Sequence, residues 1–303
     1  MSNASPSPSS NLSAILAVLL GLAFFSGMDA IMKGLVLALG AYNAIFWRMG
    51  VGFLMASALF FSQRRPWPGR PALKVHLIRG GVTFVMGYLF FWGLAFVPLA
   101  EGIALSFIAP LIALYLAALL LGEVIGKSAI LASLLGLAGV FVILAGKMQG
   151  DFSEEARWGV AAILVSAVLY AYNLILQRQL AQIASSAEVV FFQTGIVTLL
   201  YLALAPFFAA VPPAENWPFI IAAAAVAMIS LMLIIWGYAR AEAQHLVSLE
   251  YTAFIWAAIL GWLFFDEAVT WATFIGTALI VSGCLIVAWR KPEKAEIVEA
   301  AVG

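Results

Sequence analysis

Apolar residues run through this chain in long blocks, interrupted at short intervals by small clusters of charge, proline or glycine. A block such as Ala222 to Tyr238 stays apolar on every face. It shows neither the alternation of an outer-membrane strand nor the one-sided stripe of a soluble helix. A helix that crosses a bilayer needs about 20 mostly apolar residues. Ten stretches meet that demand, at 12–34, 41–62, 76–96, 99–121, 128–146, 158–177, 187–210, 217–239, 244–265 and 268–289. The links are short except Gln63 to Val75 and Lys147 to Trp158, and no soluble domain fits between them. Residues 1–11 (MSNASPSPSSN) carry no Lys or Arg and predict a disordered leader, not a signal peptide.

Composition sharpens this reading. The chain is 65% hydrophobic and 10% charged, against about 25% charged in a soluble domain. Lipid removes the need for a polar surface. The net charge is zero, which gives no bulk attraction to nucleic acid. The single cysteine, Cys284, excludes an intramolecular disulfide, and with only His76 and His245 a metal site is not expected. No cofactor is expected either.

Lys and Arg set the orientation. With the N-terminus inside, the cytoplasmic side collects Arg64, Arg65, Arg70, Lys74, Arg79, Lys127, Arg178, Arg240, Arg290, Lys291 and Lys294. The opposite side receives Lys33, Lys147 and Arg157. Both termini are predicted cytoplasmic, in an inner membrane.

The chain also repeats itself. An offset of 144 positions (267 − 123) lays Glu123 on Glu267, Leu105 on Leu249, Ala109 on Ala253, Ala113 on Ala257, Leu119 on Leu263, Gly139 on Gly283 and Lys147 on Lys291. Asp29 falls on Asn173. Each repeat holds five spans, at 12–147 and 158–290, followed by a cytoplasmic tail at 291–303. An odd number of spans forces the second repeat to enter from the opposite side. The predicted fold class is therefore an all-α membrane protein of ten transmembrane helices, arranged as two inverted five-helix repeats. That plan recurs in transporters, with substrate bound near the midplane between repeats.

Local patterns strengthen the prediction. The second span contains FWRMGVGFLMA (Phe46 to Ala56), and the third and fourth read FWGLAFVPLAEGIALSFIAPLIALYLAALLLGE (Phe91 to Glu123). The counterpart reads WGYARAEAQHLVSLEYTAFIWAAILGWLFFDE (Trp236 to Glu267). Over about residues 12 to 290 the chain resembles the drug/metabolite transporter superfamily in its EamA-type, ten-helix form. Within it, the chain is similar to the YddG-type branch, which exports aromatic and other amino acids from the bacterial cytoplasm. The resemblance implies an exporter of amino acids with broad specificity. Related ten-helix members carry S-adenosylmethionine, sugars, purine metabolites or drugs. The family often has a proline midway along both the fourth and ninth helices; here Pro110 is matched by Phe254.

Several residues are candidates for the site. Pro110 lacks an amide hydrogen, so it frees the Ser106 carbonyl and bends the helix. In lipid that carbonyl needs a partner, from a neighbouring helix or from a ligand in a cavity. Asp29 and Arg48 are the most costly charges, at about 3 kcal/mol each on insertion scales. Their similar depth predicts a salt bridge, either a structural clamp or a gate. Glu250, with Tyr251 beside it and His245 at the start of the helix, could accept a substrate ammonium or pair with Arg178 or Arg240. Tyr88 and Trp92 share one face of the third span, Tyr170, Tyr172 and Asn173 lie at mid-depth of the sixth, and Trp236 and Tyr238 lie on the eighth. Tyr and Trp suit amphipathic ligands and can seat an ammonium. Gly139 and Gly283 are expected to allow close packing of the fifth and tenth spans. The stretches Gly122 to Gly126 and Gly146 to Gly150 have small-residue spacing only at helix ends, where they say little about dimers. The oligomeric state is left open, and a monomer is compatible with the sequence.

An intramembrane enzyme would need a nucleophile with its base, or a metal with its ligands. The chain contains no HExxH, no GxSxG and no glycine-rich phosphate loop. A channel would show rings of repeated polar residues, and none is evident. Transport of a small molecule by alternating access is the reading that remains.

Overall fold

The computed structural model describes residues 8–63, 67–121, 127–148, 153–238 and 249–288. Among them no strand occurs. The helices are α1 (Pro8–Ser62), α2 (Arg70–Leu94), α3 (Leu99–Ser106), α4 (Ala109–Leu121), α5 (Lys127–Met148), α6 (Glu154–Ile183), α7 (Ser186–Phe208), α8 (Trp217–Tyr238), α9 (Thr252–Phe265) and α10 (Trp271–Ala288). A 3-10 turn, Ala214–Asn216, precedes α8. Six helical stretches are long and apolar enough to cross a membrane, and shorter apolar helices cover Ile130–Gly146, Thr252–Phe265 and Trp271–Ile286. Large apolar side chains such as Trp271, Leu54 and Phe141 lie 81%, 70% and 68% exposed. Water would not tolerate that surface over a whole bundle; lipid does. The chain is a multi-pass membrane protein.

Helix α1 is 55 residues long. Straight, it would reach about 80 Å, far beyond a hydrocarbon core of about 30 Å. It folds back at Gly40, whose φ of 77° and ψ of 156° interrupt the helical dihedrals. That backbone region is open essentially only to glycine. Contacts on either side trace the reversal. The first arm runs antiparallel to α8, with Val18 against Gly237 and Gly21 against Ser230. The second arm runs antiparallel to α7: Tyr42 donates to the Tyr201 carbonyl at 2.6 Å, and further along Phe60 stacks on Phe191 at 4.5 Å. The expected gap between spans at 35–40 is therefore a helical hairpin that turns at one residue.

Capping explains other boundaries. Ser153 accepts the Ala156 N–H at the start of α6, and Ser185 accepts the Glu188 N–H at the start of α7. Each satisfies a backbone donor that the first turn leaves without an intrahelical partner. Pro110 falls in the first turn of α4, where a missing N–H is tolerated.

Packing follows the 144-position offset. Helix α1 lies along α8 as α2 lies along α6, and α5 lies along α10. A Cβ on Gly139 would strike the Gly276 carbonyl on α10, and one on Gly283 would meet the Ala132 carbonyl at 2.6 Å. The offset converts the first contact into the second, because Gly276 maps onto Ala132 (276 − 144). The expectation for Gly139 and Gly283 therefore holds. Gly93, against the Gly159 carbonyl, has its counterpart in Gly237, against the Ala14 carbonyl (93 + 144 = 237). One apolar core threads both halves, from Leu35 and Leu105 to Ile163, Ala257 and Ile280.

Candidate functional site

The helix of the stretch expected to be the fourth span is broken. Helix α3 ends at Ser106 and α4 begins at Ala109, with Phe107 and Ile108 in a turn. The Phe107 N–H reaches back to the Ala104 carbonyl at 3.2 Å, one residue short of the α-helical partner. This is the break that Pro110 predicts. In the second half α9 begins at Thr252, with Tyr251 in a turn before it. No proline is needed there, since Phe254 occupies the position that matches Pro110.

The two interruptions meet. Phe107 and Tyr251, which the offset pairs (107 + 144 = 251), stand edge to face at 5.2 Å and 89°. Helix α10 sends the Cys284 thiol toward the Phe107 carbonyl at 3.5 Å, and Ser26 of α1 donates to the Ala253 carbonyl at 3.4 Å. Ser106 turns its hydroxyl onto the Gly102 carbonyl at 3.0 Å, within its own helix. Glu250 precedes Tyr251 and is exposed, and its carboxylate acts electrostatically on Tyr170 of α6. Asp29 and Arg79 act on the same phenol. Tyr170 is 38% exposed.

Below Tyr170 on the same stripe of α6, Asn173 is buried. It accepts from Arg79 Nε at 3.1 Å and from the Thr83 hydroxyl at 3.5 Å. Arg79 also reaches Gln177 at 3.5 Å. Arg79, counted by its sequence position among the cytoplasmic charges, is thus buried between α2 and α6. Tyr172 points about 100° away from Asn173 around the helix and is half-buried.

Asp29 and Arg48 do not form the salt bridge expected of them. Asp29 is 2% exposed, and no nitrogen of Arg48 lies within ion-pair distance of it. The two charges do act on each other through space. Arg48 touches the Met49 sulfur at 3.7 Å and lies 6.0 Å from the centre of the Phe91 ring. Its Nε has no partner, and neither does the hydroxyl of buried Tyr201 nearby. Depth along two helices could be read from the sequence, but the rotation of each side chain about its helix could not.

Tyr88, 37% exposed, lies close enough to Tyr201 to act on it electrostatically. Trp92 packs edge to face on Phe96 at 5.0 Å, one turn further along. Trp236 is set apart from the other candidates. It lines an apolar groove of about 460 Å³ with Leu16, Leu20 and Met232, between the first arm of α1 and α8. His245 and Arg240 lie outside the described residues, as does the stretch 122–126.

Among the described residues, two long-range contacts between a basic side chain and a carboxylate escaped sequence reasoning. Lys33, counted on the external side by its position near the end of the first predicted span, is 3% exposed and pairs with Glu267, 234 residues away. It also donates to the Val97 carbonyl at 2.8 Å, while Glu267 accepts the Leu99 N–H at 2.7 Å. His76 pairs with Glu188 at 3.0 Å and stacks on Phe192. Lys33 had one signal, a lysine inside an otherwise unbroken apolar helix.

Comparisons with known proteins agree with this architecture. The chain is 26% identical over 280 residues to the pseudopaline exporter CntI of Pseudomonas aeruginosa (strain UCBPP-PA14), covering 92% of this chain and 97% of the relative. It is 27% identical over 283 residues to a riboflavin transporter of Rhizobium johnstonii, covering 90% of each. It is 27% identical over 230 residues to the aromatic amino acid exporter YddG of Ancylobacter novellus, covering 74% and 76%. The model of the EamA-like transporter family matches twice, at residues 12–145 and 157–289. With interrupted helices meeting between two matching halves, and that model covering each half, the chain belongs to the EamA-like transporter family, within the drug/metabolite transporter superfamily.

Proposed function

We propose that this transporter exports amino acids, aromatic ones among them, across the inner membrane by alternating access. In this reading the chain has ten spans in two inverted repeats, 12–147 and 158–290, with both termini in the cytoplasm. The hairpin at Gly40 divides α1 into two spans, and α3 with α4 makes one. Inversion is supported by contacts that interchange under the 144-position offset, and orientation by the bias of Lys and Arg.

One observation carries the reading: the meeting of Phe107 with Tyr251, where two interrupted helices face each other between the repeats. Broken helices at the repeat interface are where transporters of this plan bind cargo. Glu250 adjoins Tyr251 and, with Asp29, acts on Tyr170, so this region offers an aromatic face and carboxylates to an amphipathic cation or zwitterion. Rocking of one half against the other at the Pro110 break would expose the site to each side in turn.

Purified protein in liposomes, loaded with a panel of radiolabelled amino acids with and without a pH gradient, tests this. Aromatic amino acids are expected to cross faster than in empty liposomes. If none does, the amino-acid assignment is wrong. A second reading, transport of another small metabolite, is supported by relatives named for pseudopaline and riboflavin, and the same liposomes loaded with such compounds address it. Sensitivity to the gradient separates proton exchange from facilitated diffusion.

A further inference from the structure

Asp29 and Arg48 pose a physical problem. An uncompensated charge at such a depth costs several kcal/mol, and proteins commonly offset that cost by contact. Here the two opposite charges sit near enough to act on each other yet too far apart for contact. Among the described residues neither has a hydrogen-bonding oxygen or nitrogen partner. Arg79 provides the contrast, because Asn173 and Gln177 hold it in place. Arg48 has only a sulfur at 3.7 Å and an aromatic ring.

We infer that Asp29 and Arg48 are the two poles of a subsite that grips a zwitterion, Asp29 taking the ammonium and Arg48 the carboxylate. The inference rests on the amino-acid reading above and names how that cargo is held. Charge-assisted hydrogen bonds at both ends are about 2.8 Å each, and the poles of an α-amino acid add about 3 Å. An acid and a base that held it would stand about 8 Å apart, too far for an ion pair yet within each other's field at low dielectric, and Asp29 and Arg48 form no ion pair while acting on each other. The Tyr201 hydroxyl, also without a partner and acting on Arg48, would be a further donor to the same carboxylate. Phe91 beneath the guanidinium, Tyr88 beside Tyr201 and Tyr42 against Tyr201 make the surroundings aromatic.

Asp29 lies one helical turn, about 6 Å, inward from Lys33, whose pairing with Glu267 joins α1 to the α9–α10 turn. The pole is asymmetric between the repeats, since the offset places neutral Asn173 opposite Asp29.

The test compares phenylalanine with phenethylamine, which lacks the carboxylate, and with 3-phenylpropionate, which lacks the ammonium. Binding to purified protein in detergent is measured by titration calorimetry. The unmodified protein is expected to prefer phenylalanine over each analogue by about 10- to 100-fold, as for a hydrogen bond to a charged group. Asp29→Asn is expected to abolish discrimination against 3-phenylpropionate alone, and Arg48→Gln discrimination against phenethylamine alone. If either variant fails to elute as a single monodisperse species, Asp29→Glu and Arg48→Lys carry the same comparison with partial loss expected. Discrimination unchanged in these variants, or lost instead in Glu250→Gln or Arg79→Gln, overturns the assignment of the poles and leaves amino-acid transport standing. Failure of the unmodified protein to bind or move any amino acid overturns both readings.

Discussion

Replacing Glu267 by glutamine tests whether one carboxylate holds three elements of the bundle together. Glu267 has two oxygens with separate duties. One faces the Lys33 ammonium, and the other accepts the N–H of Leu99, the first residue of α3, at 2.7 Å. It therefore joins α1, α3 and the turn between α9 and α10. Glutamine keeps the shape and can still accept from Leu99, so the change removes mainly the charge opposite Lys33. Removing one partner of a buried pair costs about 3–5 kcal/mol. Here the loss is lessened, because the Val97 carbonyl at 2.8 Å and the face of Phe265 at 5.3 Å still hold the ammonium. We expect about 2–4 kcal/mol. At a few degrees per kcal/mol this lowers the midpoint of unfolding by about 5–15 °C. The single cysteine supplies the assay: Cys284 is buried, so a thiol-reactive dye reports unfolding of the detergent-solubilised protein. Lys33→Met should cost a similar amount, and the double variant should recover most of the loss, because no charge is then left alone. A double variant as unstable as the sum of the single ones would refute the reasoning.

Two further substitutions probe the backbone. Gly40→Ala should destabilise by about 1–3 kcal/mol, although an added Cβ meets nothing within 4 Å, because its φ is positive. Gly34→Ala, equally open but helical, should be neutral or slightly stabilising, and equal losses in the dye assay would remove positive φ as the cause. Pro110→Ala restores an N–H facing the Ser106 carbonyl, so α3 and α4 can join. Liposome flux should fall severalfold with the unfolding midpoint unchanged or raised, and undiminished flux would mean that transport does not use this break.

What could be read in advance, and what could not, divides along a physical line. Periodicity and composition report how each segment meets its surroundings, so the apolar segments were visible. So was the repeat, because a duplicated chain carries its contacts with it: the glycines that the offset matches, Gly139 and Gly283, both press against backbone in the same helix pair. Pro110 could be read because its effect is local, a missing N–H four residues from a freed carbonyl. Gly40 was hidden among apolar neighbours, since a positive φ leaves no mark in composition. Lys33 and Arg79 were counted at the two membrane faces because charge counting assumes that a lysine or arginine near a helix end faces water. Both instead found partners far away in sequence, at Glu267 and Asn173. Asp29 and Arg48 failed in the opposite sense: their matched depth suggested contact, and the rotation of their helices denied it. Complementary charges brought to one depth but held apart are poorly explained by assembly alone, since a clamp that does not close contributes little to stability. They make sense where a third, doubly charged body completes the circuit during the cycle, so the gap between them is better understood through the cargo than through the fold.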